Sequence, residues 1–208
     1  GMRVGVIDSG IDYTHSMFNG VGDSDVFSKI DPSLDSIHFP NEKVVGGIDL
    51  VGSSYNANSV NFNDQIPRPD NNPIDEGGHG THVAGSIAGV SDNNSSTYAG
   101  VAPDATLYAI KVFGKNGSTG AMTIIAALEY AADPDKNLYP DDMLDIVNLS
   151  LGSSYGKPSN LYSQAIKNLV TAGTILVASA GNSGDESYIV GAPGTENDSF
   201  SIAAGIDN

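Results

Sequence analysis

The chain has 208 residues, 39% hydrophobic and 16% charged, which is enough apolar material for one buried core and excludes a disordered chain. Its 9 Lys and Arg face 25 Asp and Glu, a formal net charge of −16. A surface of that sign repels phosphate backbones, so nucleic acid is excluded as a partner. No apolar run approaches the ~20 residues of a membrane helix, and the absence of cysteine excludes disulfides, thiolate metal sites and a cysteine nucleophile.

Most of the carboxylates read as a solvated acidic face that keeps a protein soluble, although oxygen ligands in this number also suit Ca²⁺. Gly1 before Met2 reads as the remnant of an expression tag. Met2 leads almost directly into Val4-Gly5-Val6-Ile7 with no signal peptide visible, so the compartment has to follow from function.

In chain order, Arg3–Asp8 reads as a strand and Lys43–Leu50 as a second. Residues 52–78 are rich in Asn, Asp, Ser and Pro and read as a long polar loop. A helix is expected over His79–Ala88, with Val83, Ile87 and neighbouring alanines on one face. Leu107–Val112 is a strand, followed by a glycine-marked loop to Gly120. Ala121–Ala132 carries Met122, Ile125, Ala126 and Glu129 at helical spacing and stops before Pro134. Ile146–Leu151 is the next strand. Asn160–Ala172 is the next helix, with Leu161, Ala165, Ile166 and Leu169 as its apolar stripe and Gly173 as its stop. Ile175–Ser179 and Phe200–Ala204 close the series.

Apolar strands alternating with amphipathic helices predict a single α/β domain over residues 1–208, with a mostly parallel sheet between two layers of helices. Chemistry in such sheets gathers at the carboxyl ends of strands. Asp8, Ser150–Ser153 and Ala180–Gly184 fall there.

Asp8, in Val6-Ile7-Asp8-Ser9-Gly10, admits a catalytic role, a turn-capping role, or the strand-end aspartate of an actin-like ATPase. Gly78-His79-Gly80-Thr81-His82-Val83-Ala84-Gly85 says more. Its histidines are three apart and lack the glutamate of a zincin helix, so no metal is assigned to them. His82 reads as a buried, locally hydrogen-bonded histidine. His79, with glycine on both sides, reads as a general base that a partner can approach closely.

Four motifs in order, Asp8, Gly78–Gly85, Val147-Asn148-Leu149-Ser150-Leu151-Gly152 and Ala180-Gly181-Asn182, resemble the subtilisin-like serine peptidases along essentially the whole chain. The resemblance is narrower to secreted bacterial members with an inserted protease-associated domain, through Asp12–His15, Lys43–Gly47 and Gly181–Gly184.

The resemblance implies a subtilisin-like three-layer α/β fold and an endopeptidase acting on polypeptide. Asp8 would orient His79, His79 would act as general base, and Asn182 would donate to the oxyanion, an asparagine whose other reading is a left-handed turn residue. Ser118, Gly120, Ser150 and Gly152 would flank an extended peptide, their segments offering backbone groups to it. No cofactor is needed for that chemistry.

Two departures stand out. The family's Gly-Thr-Ser-Met-Ala segment occurs nowhere in residues 1–208, so the chain is expected to stop before its serine, to be inactive alone and to self-associate. In addition, Asn93-Asn94-Ser95 resembles the family's calcium loop, but Met17 stands where a carboxylate ligand is expected, leaving structural calcium without a tight site there. The rival readings are a peptide-binding pseudoprotease and, distantly, an actin-like ATPase. The resemblance also implies secretion.

Overall fold

The structure, a computed structural model, describes residues 1–91, 98–158 and 160–205, and of residues 160 and 161 the backbone alone. Its strands are β1 (Arg3–Asp8), β2 (Val44–Asp49), β3 (Thr106–Lys111), β4 (Ile146–Leu149), β5 (Ile175–Ser179) and β6 (Phe200–Ile202). The helices are a short α1 (Ser24–Phe27), α2 (His79–Ala88), α3 (Ala121–Ala132) and α4 (Asn160–Ala172). The chain divides into two units, Gly1–Ala127 and Leu128–Asn208.

In the first unit β1 and β2 both pair with β3 in parallel, so Asp8 and Asp49 lie in register on either side of Lys111. Val4, Val6, Ile7, Leu107, Ala109 and Ile110 are buried, the near-continuous apolar character expected of strands covered on both faces. In the second unit β5 pairs in parallel with β4 and β6, and Val147, Leu149, Leu176 and Ala178 form its interior.

The helices match the expected spans, but two of their buried faces differ. In α2 the buried line is Gly80, Ala84 and Ala88, while Val83 and Ile87 are only half-buried on its flanks. Small residues at four-residue spacing let this helix approach the end of β1 more closely than a Val/Ile face would. In α3, Thr123, Ile124, Ala127, Leu128 and Ala131 are buried and Met122 is exposed. In α4, Ile166 and Leu169 are buried as expected, and Gly173 ends it at φ 123°, a conformation that favours glycine. The polar stretch 52–78 contains one 3₁₀ turn, Phe62–Gln65, opened by Asn61 accepting from the Asn63 amide. Two strands end earlier than the apolar runs do, β4 at Leu149 and β6 at Ile202.

Asp49 is fully buried at the end of β2. Its Oδ1 accepts from the amides of Val51 and Gly52 at 2.7 and 2.8 Å, while Oδ2 meets no donor. Burial pushes its pKa up to about 6, against the pull of those amides and of Lys111. A carboxyl whose pKa is raised by folding holds its proton more firmly in the folded state. Its contribution to stability is therefore complete below pH ~4 and lost as pH rises through the folded value, by at most about 3 kcal/mol. Denaturant midpoints measured from pH 4 to 7 should show the protein losing stability relative to Asp49→Asn as pH rises. Parallel curves for the two proteins would contradict the assignment.

Candidate active site

β1 carries Asp8 to its carboxyl end, where the side chain is 1% exposed. α2 begins at His79, whose Nδ1 lies 2.7 Å from Asp8 Oδ1. The imidazole is 63% exposed, so one end of the pair is dry and the other faces solvent. Asp8 Oδ1 also accepts from the Ser9 amide at 2.7 Å. Burial pushes the Asp8 carboxyl above its ordinary value, opposed by the hydrogen bonds from His79 and Ser9. An ionised carboxylate only accepts, so in the neutral ring this contact calls for the proton on Nδ1 and the lone pair on Nε2.

A second tie runs alongside the first. Ser9 Oγ accepts from the Gly80 amide at 2.9 Å, so the last residue of β1 and the residue after it bind the first two residues of α2. A Cβ on Gly80 would sit 2.2 Å from the Gly10 carbonyl oxygen and 3.1 Å from Asp8 Cβ. Lys111, also fully buried, donates to the Ser9 carbonyl at 3.1 Å and lies 3.7 Å from Glu76 Oε2. Sequence reasoning gave no role to Lys111, to the Ser9 hydroxyl or to Asp75. The available signals were a cation ending a strand and a carboxylate just ahead of a helix start.

His82 corrects the sequence reading. It is exposed and lines a cavity of about 770 Å³ together with Asp12, His15, Phe18, Phe27 and Glu76. A position three residues after His79 lies off the inward Gly80–Ala84–Ala88 line, which is why it is not buried. Met17 lines the same cavity and its carbonyl accepts from the Val90 amide. Of the Asn93–Tyr98 loop, Asn93 to Thr97 lie outside the described residues.

Ser118, in the same unit, is tied internally. Its amide and hydroxyl both donate to Asn56 Oδ1, at 3.2 and 2.9 Å, and its carbonyl accepts from Ala57. The Gly120 carbonyl accepts from the amides of Thr123 and Ile124 as α3 begins. These backbone groups are already engaged.

In the second unit, Ser150 follows β4 and takes a hydrogen bond from Asn148 Nδ2 at 3.0 Å. A Cβ on Gly152 would lie 3.0 Å from the Ala192 carbonyl oxygen. The loop after β5 holds Asn182, exposed and flanked by Gly181 at φ 102° and Gly184 at φ 88°. Those glycines take the left-handed conformations and Asn182 does not, so it is not the left-handed turn asparagine considered from sequence. Ser154 and Ser183 share a hydrogen bond of 2.8 Å, which brings the loops after β4 and β5 side by side.

Among the described residues, Asp133, Asp135 and Asp142 bring carboxylate oxygens within 4.8 Å of one another. Their oxygens accept from the amides of Asn137, Leu138 and Asp135 and close a loop.

An α/β protein with a buried strand-end aspartate hydrogen-bonded to a histidine at a helix start has the layout of an acid–base catalytic pair. The chain matches the Peptidase_S8 subtilase profile over residues 1–207. It belongs to the subtilase family.

The chain is 34% identical to the Minor extracellular protease Vpr of Bacillus subtilis over 98% of its own length and 20% of that protein. It is 33% identical to Subtilisin DY of Bacillus licheniformis over 88% of its length and 48% of the relative. Among solved structures, Sphericase superposes with a TM-score of 0.68 at 29% identity, covering 98% of this chain and 53% of that one. The S41 Psychrophilic Protease superposes at 0.66 and 28%. The fold is therefore the subtilisin-like three-layer α/β fold with a mostly parallel sheet. The chain spans between a fifth and about half of the proteins it matches.

Gly80→Ala should force α2 away from β1 at a cost of about 1–3 kcal/mol. Because the clash lies beside Asp8, the damage should concentrate on the Asp8–His79 contact. Hydrogen exchange should show the amides of residues 9 and 80 losing protection before those of β3. Unchanged protection at both amides would contradict the packing described.

Proposed function

We propose that this chain supplies the aspartate and histidine of an Asp–His–Ser triad in a serine endopeptidase that cuts extended polypeptide. The observation that carries the reading is the 2.7 Å contact between buried Asp8 and the solvent-facing imidazole of His79, in a chain of the subtilase family. A serine hydroxyl is a poor nucleophile until a base takes its proton. Nε2 of His79 is that base, and it later returns the proton to the leaving amine. Asp8 holds the tautomer and stabilises the imidazolium that forms.

Asn182 donates its side-chain N–H to the tetrahedral oxyanion. Its exposure, and the lack of a hydrogen-bond partner for its side chain among the described residues, support that role. Ser150 and Gly152 flank the peptide. Gly152 has no hydrogen-bonded partner among the described residues, so its backbone is available for strand addition. At Ser118 and Gly120 the internal hydrogen bonds leave fewer such groups for a peptide.

The nucleophile is a serine outside residues 1–208, since the segment that carries it in the family is not among them. The chemistry needs no cofactor. Secretion is supported by the extracellular Vpr relative. The narrower branch, with an inserted protease-associated domain, rests on Asp12–His15, Lys43–Gly47 and Gly181–Gly184 alone. The exposed Phe200 and Ile202 of β6 support self-association of the isolated chain through that strand.

A fluorophosphonate, which labels activated serines, should react with the uninterrupted gene product. Labelling should fall by about 10⁶ in rate for His79→Ala, the size of the loss in kcat known for the corresponding change in subtilisin itself. Purified residues 1–208 should stay unlabelled. Stoichiometric labelling at any serine between Gly1 and Asn208 would overturn the placement of the nucleophile. An uninterrupted gene product that reacts no faster than His79→Ala would favour the peptide-binding pseudoprotease.

A further inference from the structure

His79 stands in an unusually loose stretch of backbone. Gly77 and Gly78 precede it and Gly80 follows, so three of its four nearest neighbours are the least restricted residue type. The N-cap of α2 is Gly78, at φ 88°, with no side chain to accept a first-turn amide. A helix start needs acceptors for its first N–H groups, and here they come from elsewhere.

One of them is Ser9 Oγ, which takes the Gly80 amide. A single carboxylate takes the Thr81 amide of that first turn and two amides just ahead of it. Asp75 Oδ2 accepts from the Thr81 amide at 2.9 Å and from Thr81 Oγ1 at 2.6 Å. Asp75 Oδ1 accepts from the amides of Gly77 and Gly78 at 2.8 and 2.9 Å. The carboxylate thus grips the chain on both sides of His79. Asp75 is 2% exposed, a burial that would favour its neutral form. The hydrogen bonds from Thr81, Gly78 and Gly77 outweigh that burial and hold its carboxyl below the ordinary value. Thr81 Oγ1 in turn accepts from the Asp12 amide at 2.9 Å, tying the same turn to the segment after β1.

We propose that Asp75 is a positioning residue for His79, its carboxylate fixing the glycine-flanked first turn of α2 so that Nδ1 meets Asp8. This deepens the proposed function and rests on the reading of His79 as the proton carrier. Without the carboxylate, the amides of residues 77, 78 and 81 lose their buried acceptors and turn to water, and the ring they position moves with them. Asparagine at the position is not equivalent. Its NH₂ group would face donors, either the two glycine amides or the two groups of Thr81.

The test needs no turnover and uses this chain. The Nδ1–H of His79 held against the Asp8 carboxylate gives a downfield proton resonance whose exchange with solvent reports how often the contact opens. In Asp75→Asn that exchange should accelerate by about ten-fold or more. Thr81→Val, which removes one of the four hydrogen bonds to Asp75 together with the acceptor of the Asp12 amide, should produce a smaller acceleration, and Thr81→Ser, which keeps both, should restore the original rate. Thr174→Val removes a buried hydrogen bond from Thr174 Oγ1 to the Leu144 carbonyl. It lowers stability in the second unit without reaching α2 and should leave the resonance unchanged.

If Asp75→Asn does not fold, the Thr81 pair decides by itself. Equal exchange in Thr81→Val and Thr81→Ser, or an unaltered resonance in a folded Asp75→Asn, would overturn the assignment. Because the signal reports only the Asp8–His79 contact, a failed labelling experiment on the gene product would bear on the peptidase reading and leave this result standing.

Discussion

Asp8 is 1% exposed, and a carboxylate taken out of water must find donors close by or give up its charge. At the end of β1 those donors are the Ser9 amide and the His79 ring, both on Oδ1. Meeting that demand requires a helix start within hydrogen-bond reach of a strand end, which in turn requires glycine at position 80 where the two backbones nearly touch. The buried face of α2 follows from the same closeness. The Gly80–Ala84–Ala88 line is what a helix needs if its first turn is to approach β1 this tightly. The geometry of the proposed catalytic pair and the packing of the helix are thus one constraint.

The charges around it obey the same rule. Lys111 is buried at the end of β3 with Asp8 and Asp49 in register on either side, and its ammonium lies against the Ser9 carbonyl and near Glu76. Lys43 is also buried, donating to the carbonyls of Pro103 and Ala105. Two of the chain's few cations are therefore spent inside, where the buried carboxylates Asp8, Asp49 and Asp75 set opposite charge against them.

Much of this was legible in the residues. Strand runs such as Arg3–Asp8 and Ile175–Ser179 and the helix spans 79–88, 121–132 and 160–172 matched the structure, because apolar period and glycine punctuation are local signals. The motifs single out Asp8 and His79, and the structure places their side chains 2.7 Å apart. What failed depended on contacts between distant segments. The inward face of α2 could not be read from hydrophobicity, since close approach selected glycine and alanine over Val83 and Ile87. His82 was expected to be buried because it is a histidine on an apolar helix, yet it points away from the tight face. Asp75 was one aspartate among several in the polar stretch 52–78, and only the fold shows four donors converging on it.

The claim on which the account turns is that Asp8 fixes the imidazole of His79 with its proton on Nδ1, leaving Nε2 to take one from a hydroxyl. Nitrogen-15 NMR of the neutral ring reads this directly, because protonated and unprotonated ring nitrogens have well-separated shifts. The account predicts that neutral His79 is the Nδ1–H tautomer, and that Asp8→Asn shifts it towards Nε2–H, as expected when an acceptor is replaced by an amide. A neutral His79 found mainly as the Nε2–H tautomer in the unaltered chain would contradict it.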